Sequence, residues 1–247
     1  MAKRKRNFEV IHNEHFEEKE FTGKHFTTHH LKSFQPATEP QSEFLRAFFQ
    51  EQIPVILQVG SAGTGKTVMA MYAALSEVLD RSTPYDQIIV VRSAVQARDM
   101  GFLKGDETEK NEPFERAYQS ICDELMVFKT NNYRNLKDNG VIKFQNTAHL
   151  RGLTFNNAIL VVDEVQNMNY HELSTIMTRC GEDSRILFCG DWKQSDLHKK
   201  GDVSGLKEFQ SVLSRMKPGY VHTIEYKPQH IVRSGIVREF LLAEERA

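Results

Sequence analysis

Residues 60–67 read GSAGTGKT. Three glycines, two hydroxyl residues, a lysine and a closing threonine make poor core material and a poor helix interior, so something other than packing accounts for them. The stretch matches G-x-x-x-x-G-K-[ST], follows the apolar run PVILQVG and precedes a helical pattern from Thr67 to Leu79, which is the context this phosphate loop requires. Gly60, Gly63 and Gly65 let backbone amides turn inward around a β-phosphate, and the helix that follows presents its positive end to the same anion. Lys66 is then placed for the β- and γ-phosphates and the Thr67 hydroxyl for Mg²⁺. The nucleotide-binding set runs through Gly60, Ser61, Ala62, Gly63, Thr64, Gly65, Lys66, Thr67 and Val68.

The rest of the chain alternates short apolar runs with amphipathic ones. Strands are expected at 54–60, 87–93, 141–145, 158–164, 185–191 and 220–226, and helices at 42–52, 67–79, 113–128, 169–181, 205–216 and 234–247. Uniformly apolar short strands between helices predict an α/β fold: a three-layer, mainly parallel sheet with helices on both faces, binding its ligand at the carboxyl ends of the strands. The 247 residues suit one domain plus an extension. That division falls at residues 1–35, a polar lead-in with five of the ten histidines, and 36–247. His12 and His15, or His25 and His29, have helical metal-ligand spacing, but a polar tail explains the same residues. Lys3, Arg4, Lys5 and Arg6 read as a solvated tail as well.

With 26% charged residues and a net charge of -1, overall charge names no partner. Cys122, Cys180 and Cys189 are odd in number and form no CxxC pair, which argues against a disulfide framework or a cysteine zinc site and fits a reducing cytoplasm. No apolar run reaches the length of a membrane span.

A magnesium site needs a second handle, an acid at the end of a neighbouring strand. AILVVDE supplies it: Asp163 to hold Mg²⁺ through water and Glu164 to deprotonate an attacking water, a pairing that points to NTP hydrolysis. A third strand ends in GDWKQ, where the Gln194 amide can reach the γ-phosphate. Upstream, Gln41 precedes the first helix, and its amide can both donate to and accept from the adenine edge.

These residues together resemble the PhoH family of P-loop ATPases, whose domain is similar to the first, RecA-like motor domain of superfamily 1 helicases. The resemblance covers about residues 34–240 through PATEPQ, GSAGTGKT, VRSAVQARDMGFLKGDETEKNEPF, LRGLTFNNAILVVDEVQNM, GDWKQSDL and HIVRSGIV. It implies ATP on Gly63, Gly65, Lys66 and Thr67, with Gln41 on the base, Asp163 on Mg²⁺, Glu164 as base and Gln194 on the γ-phosphate. The family's late arginine matches at Arg233, although Ser234 and Gly235 stand where many members have His-Pro. A chain with one motor domain needs an arginine from a neighbouring copy, which predicts a closed ring, a hexamer. Arg233 is the first candidate for that trans role, with Arg179 and Arg185 behind it. Single-stranded RNA or DNA is the expected partner, with Arg92, Arg98 and Arg151 as phosphate contacts. The competing readings are a regulatory ATPase acting on a protein partner and a small-molecule kinase. The kinase lacks an arginine-rich lid, and a base beside the Mg²⁺ acid suits water better than a substrate hydroxyl.

Overall fold

A computed structural model describes residues 26–93, 107–128, 131–191 and 205–246. Its centre is the run of apolar segments read above, now seen as strands: β1 (Val55–Gly60), β2 (Gln87–Arg92), β3 (Ile142–Asn146), β4 (Ala158–Val162), β5 (Arg185–Gly190) and β6 (Val221–Tyr226). They form one sheet in the order β3-β2-β4-β5-β1-β6, and each adjacent pair is parallel. Parallel strands need crossovers, and the intervening helices bury both faces, which is why β1, β4 and β5 are buried along their whole length and, Gln58 and Arg185 aside, carry no polar side chain. At the β6 edge the burial alternates instead, with exposed Thr223 and Glu225 interleaved with buried Ile224 and Tyr226.

Two apolar layers follow. One face carries Phe44, Phe48, Met71, Leu75, Tyr118 and Leu136 against Ile56, Ile88 and Leu187. The other carries Leu173, Ile176, Phe209 and Leu213 against Leu57, Leu160 and Phe188. These side chains come from α1 (Glu39–Leu45) and the turn Arg46–Gln50 after it, α2 (Lys66–Val78), α3 (Glu107–Leu125), α4 (Asn132–Asp138), α5 (Tyr170–Met177) and α6 (Leu206–Leu213); a last helix, α7 (Gly235–Arg246), leaves Ile236, Val237 and Phe240 exposed.

The register brings the carboxyl ends of four strands together: Val59 lies beside Gly190, and Val162 lies beside both Phe188 and Val91. The acid-bearing strand was expected next to the loop-bearing one. Instead β5 lies between β1 and β4. An acid on β4 therefore has to be met from above, by a side chain at the start of α2.

Several boundaries differ from the periodicity. The helix expected to begin at Pro113 begins at Glu107 and runs through the proline. The segment expected as one helix over 42–52 is α1 followed by a wider π-helical turn, Arg46–Gln50, which lets Phe48 stack on Phe44 at 5.9 Å and meet Phe49 edge-on at 4.9 Å. Gly181 does not stop α5, which ends at Met177 before Cys180 bridges to Phe155. The short helix α4 carries too few apolar residues to declare itself in the sequence.

Arg185 opens β5 from a buried position. Its guanidinium donates to the carbonyls of Phe48 and Ile53 and lies 3.8 Å from the centre of the Phe48 ring, closing the π-helical turn onto the sheet.

Candidate functional site

The loop after β1 turns on glycine. Gly60 has φ 128°, and a Cβ there would stand 1.9 Å from the Tyr226 carbonyl oxygen, so β1 leaves the sheet through a space that admits no side chain. Gly65 has φ 84° and serves as the N-cap of α2, so Lys66 and Thr67 open the helix with their side chains over the loop. Lys66 Nζ donates to the carbonyl oxygens of Gly60 at 2.8 Å and Ser61 at 2.7 Å, and to Thr64 Oγ1 at 3.3 Å. Burial lowers the pKa of this ammonium, and the nearby acids, Asp191 foremost, pull it back up. An entering phosphate would take over these donor directions.

A buried amide holds the loop to the sheet. Gln58, a lone polar residue in the apolar β1, accepts from the Tyr226 hydroxyl at 2.8 Å and donates to the Lys66 carbonyl at 3.4 Å. The segment between β6 and α7 crosses the loop's outer side, where Val232 N donates to the Gly63 carbonyl at 3.0 Å.

Across the cleft, Thr67 Oγ1 donates to Asp163 Oδ1 at 2.8 Å. The other carboxylate oxygen, Oδ2, accepts from the Tyr118 hydroxyl at 3.0 Å. Burial, with the Asp163 charge next, pushes that phenol well above its usual range. A hydroxyl beside a carboxylate is a hard-oxygen donor pair of the kind Mg²⁺ takes alongside phosphate oxygens and water, so the residues fit the ion that the phosphate loop implies.

Glu164, the next residue, has φ 56°, a left-handed conformation that turns its side chain back over the cleft. Its Oε2 accepts from Gln166 Nε2, and Gln166 Oε1 in turn accepts from the Asp191 backbone N–H at 3.0 Å, so one amide ties the tip of β4 to the tip of β5. Arg92 Nη2 lies 3.9 Å from Glu164 Oε1. Burial and then the Asp163 charge raise the Glu164 carboxyl pKa, while Arg92, Gln166 and Lys66 oppose the rise. Loop, acids and arginines enclose a cleft of about 480 Å³ lined by residues 62–68, Arg92, Asp163, Glu164, Gln166, Asp191 and Arg233, with Ala117, Ser120, Ile121 and Glu124 of α3 as its far wall.

Most of the expected residues meet here: the phosphate loop, Thr67, Asp163 and Glu164 surround one space. Four expectations need revision. Gln41 is only 2% exposed, and its amide accepts from Ala37 N–H at 2.7 Å and donates to the Thr64 carbonyl at 2.9 Å, so the structure uses it to fasten α1 to the phosphate loop. Arg92, expected on the polymer, faces Glu164 inside the cleft because it ends β2 at the same sheet edge. Arg233 lines the cleft of its own chain, its Cγ 3.1 Å from where a Gly63 Cβ would stand, so it reaches the site in cis. Arg185 is buried in backbone contacts and cannot serve a neighbour, and Arg179 donates to the Leu153 carbonyl at 3.2 Å. Arg151 is exposed, with Nη2 3.2 Å from His171 Nε2. Gln194, Arg98, His12, His15, His25 and the basic start lie outside the described residues.

Sequence reasoning missed three residues. Gln58 was visible as a polar interruption of an apolar strand. Gln166 lies two residues past Glu164, close enough to have been suspected. Tyr118 gave no signal, since Phe114, Tyr118, Cys122 and Leu125 share one helical face and read as core.

Fold and site together define the chain as a P-loop NTPase-fold protein of the RecA-like α/β type. It belongs to the PhoH family: the family model for PhoH-like proteins matches residues 33–245. Protein PhoH2 of Bacillus subtilis is 32% identical over 177 residues, covering 69% of this chain and 39% of the relative. A PhoH-like protein of Mycobacterium leprae is 32% identical over 212 residues, covering 85% and 58%. The chain thus spans less than two thirds of the length of these curated relatives. Among solved structures, the large terminase of a thermophilic bacteriophage in complex with ADP aligns with a TM-score of 0.48 at 13% identity, covering 82% of this chain and 48% of the terminase. No helix among the described residues is long and apolar enough to cross a membrane.

Proposed function

We propose that this protein binds ATP with Mg²⁺, hydrolyses it, and couples hydrolysis to movement along, or remodelling of, single-stranded RNA or DNA. The observation that carries the hydrolytic part is the 2.8 Å bond between Thr67 and Asp163, residues 96 positions apart. It brings the end of the phosphate loop and the acidic strand tip together beside Glu164. The loop's backbone amides, Lys66 and the α2 N-terminus take the phosphates, and Arg233 and Arg92 add positive charge at the rim and floor of the cleft. Thr67 and Asp163 would hold Mg²⁺, which when bound neutralises phosphate charge and polarises the γ-phosphoryl group. Glu164 accepts the proton of the attacking water, held for that task by Gln166. Arg92, across the cleft, opposes the rise that burial and the Asp163 charge impose on the Glu164 carboxyl.

The polymer part rests on less. The loop after β3 carries exposed Arg151 at the same end of the sheet as the cleft, where a phosphate backbone would pass close to the site. ATP turnover measured with and without single-stranded RNA and DNA tests it. Several-fold stimulation that falls as salt is raised supports the reading. Turnover indifferent to both polymers removes it and leaves an ATPase that acts on something else. Transfer of phosphate to a small hydroxyl compound would instead favour a kinase.

A further inference from the structure

The metal-side carboxylate has a partner that no motif announces. Tyr118 is 0% exposed, and its hydroxyl donates to Asp163 Oδ2 at 3.0 Å while Thr67 holds Oδ1 at 2.8 Å. Hydroxyls from two different helices thus grip the two oxygens of one carboxylate, fixing both its position and the rotation of its plane. At neutral pH a phenol is a donor toward a carboxylate. Its residue neighbours Ala117 and Ile121 face the cleft from α3, so the same helix turn both walls the site and reaches beneath it. On the opposite side the ring packs against Phe144, with centroids 6.1 Å apart.

We propose that Tyr118 is the positioning residue of the metal-holding carboxylate. By occupying Oδ2 it leaves the Oδ1 side, where Thr67 stands, as the side presented to a hydrated divalent cation. The inference rests on the reading of the cleft as a Mg²⁺-nucleotide site, and its consequence is specific. Loss of the hydroxyl weakens the contribution of Mg²⁺ to nucleotide binding and spares the contribution of the phosphate loop.

The test uses the full chain and a fluorescent, non-hydrolysable ATP analogue, titrated in Mg²⁺ and again in EDTA. Tyr118→Phe keeps the ring and removes one oxygen. Its Mg²⁺-dependent gain in affinity is expected to fall about 10-fold or more, as for other partners of metal ligands, with the affinity in EDTA unchanged. Tyr118→Leu, which also lacks the hydroxyl but packs differently, shows the same Mg²⁺-specific loss. Phe144→Leu disturbs the same packing without touching Asp163; it lowers the melting temperature and leaves the Mg²⁺ dependence intact. Equal losses in Mg²⁺ and EDTA for Tyr118→Phe, or the full Mg²⁺ gain of the parent, overturn the assignment. A parent protein that binds the analogue equally with and without Mg²⁺ overturns the underlying reading of the cleft as well.

Discussion

Glu164→Gln is expected to bind ATP within about threefold of the parent and to hydrolyse it at least ~100-fold more slowly, the lower end of what a positioned general base contributes. The substitution is nearly isosteric, and a residue in the left-handed region at φ 56° is no worse served by glutamine than by glutamate. What changes is chemical: an amide cannot take a proton from water, while its carbonyl oxygen can go on accepting from the Gln166 amide that now donates to Oε2. Asp163, Thr67 and the loop keep their partners, so binding is spared. Equilibrium binding and single-turnover phosphate release, run on the same preparation, check both halves. Turnover equal to that of the parent removes Glu164 from the base role and would turn attention to another acceptor on the cleft, such as Asp191, which follows β5 and lines it.

Lys66→Ala is expected to behave differently, losing nucleotide affinity by about 100-fold or more together with turnover, since it deletes charge-assisted hydrogen bonds to phosphate. The fold should survive. Alanine is the best helix former for the first turn of α2, and the carbonyls of Gly60 and Ser61 that lose an ammonium can take water. A melting temperature close to that of the parent, measured alongside nucleotide titration, separates loss of binding from loss of structure. Unchanged affinity would mean that the glycine loop is not a phosphate cradle.

The contrast between the two variants reflects what the sequence could and could not show. Phosphate binding requires consecutive backbone amides, so its residues are contiguous and Gly60 to Thr67 declare themselves. Asp163 and Glu164 are almost as plain because five apolar residues run straight into them. The order of the strands is a property of pairing between distant segments, and nothing in AILVVDE or RILFCGD says that β5 inserts between β1 and β4. Side-chain direction was equally hidden. Arg92 at a strand end reads as a surface cation until the register places it opposite Glu164. Gln41 reads as a free amide until the loop folds back against it. Tyr118 and Gln166 act through single bonds to residues on other elements, and periodicity records which face a residue occupies but not what its polar atom meets. Pro113 shows the same gap for the backbone: it stands at the seventh position of α3, beyond the first turn where proline is ordinarily tolerated, so the usual start signal misplaces the helix by six residues.

The central claim is that Lys66, Thr67, Asp163 and Glu164 surround one triphosphate and direct water onto it. Hydrolysis of Mg²⁺-ATP in ¹⁸O-enriched water tests it most directly. The account predicts that the parent releases phosphate carrying a single oxygen from that water and that Glu164→Gln releases almost none. Absence of phosphate release by the folded parent, or terminal phosphate delivered elsewhere without the label, would contradict it.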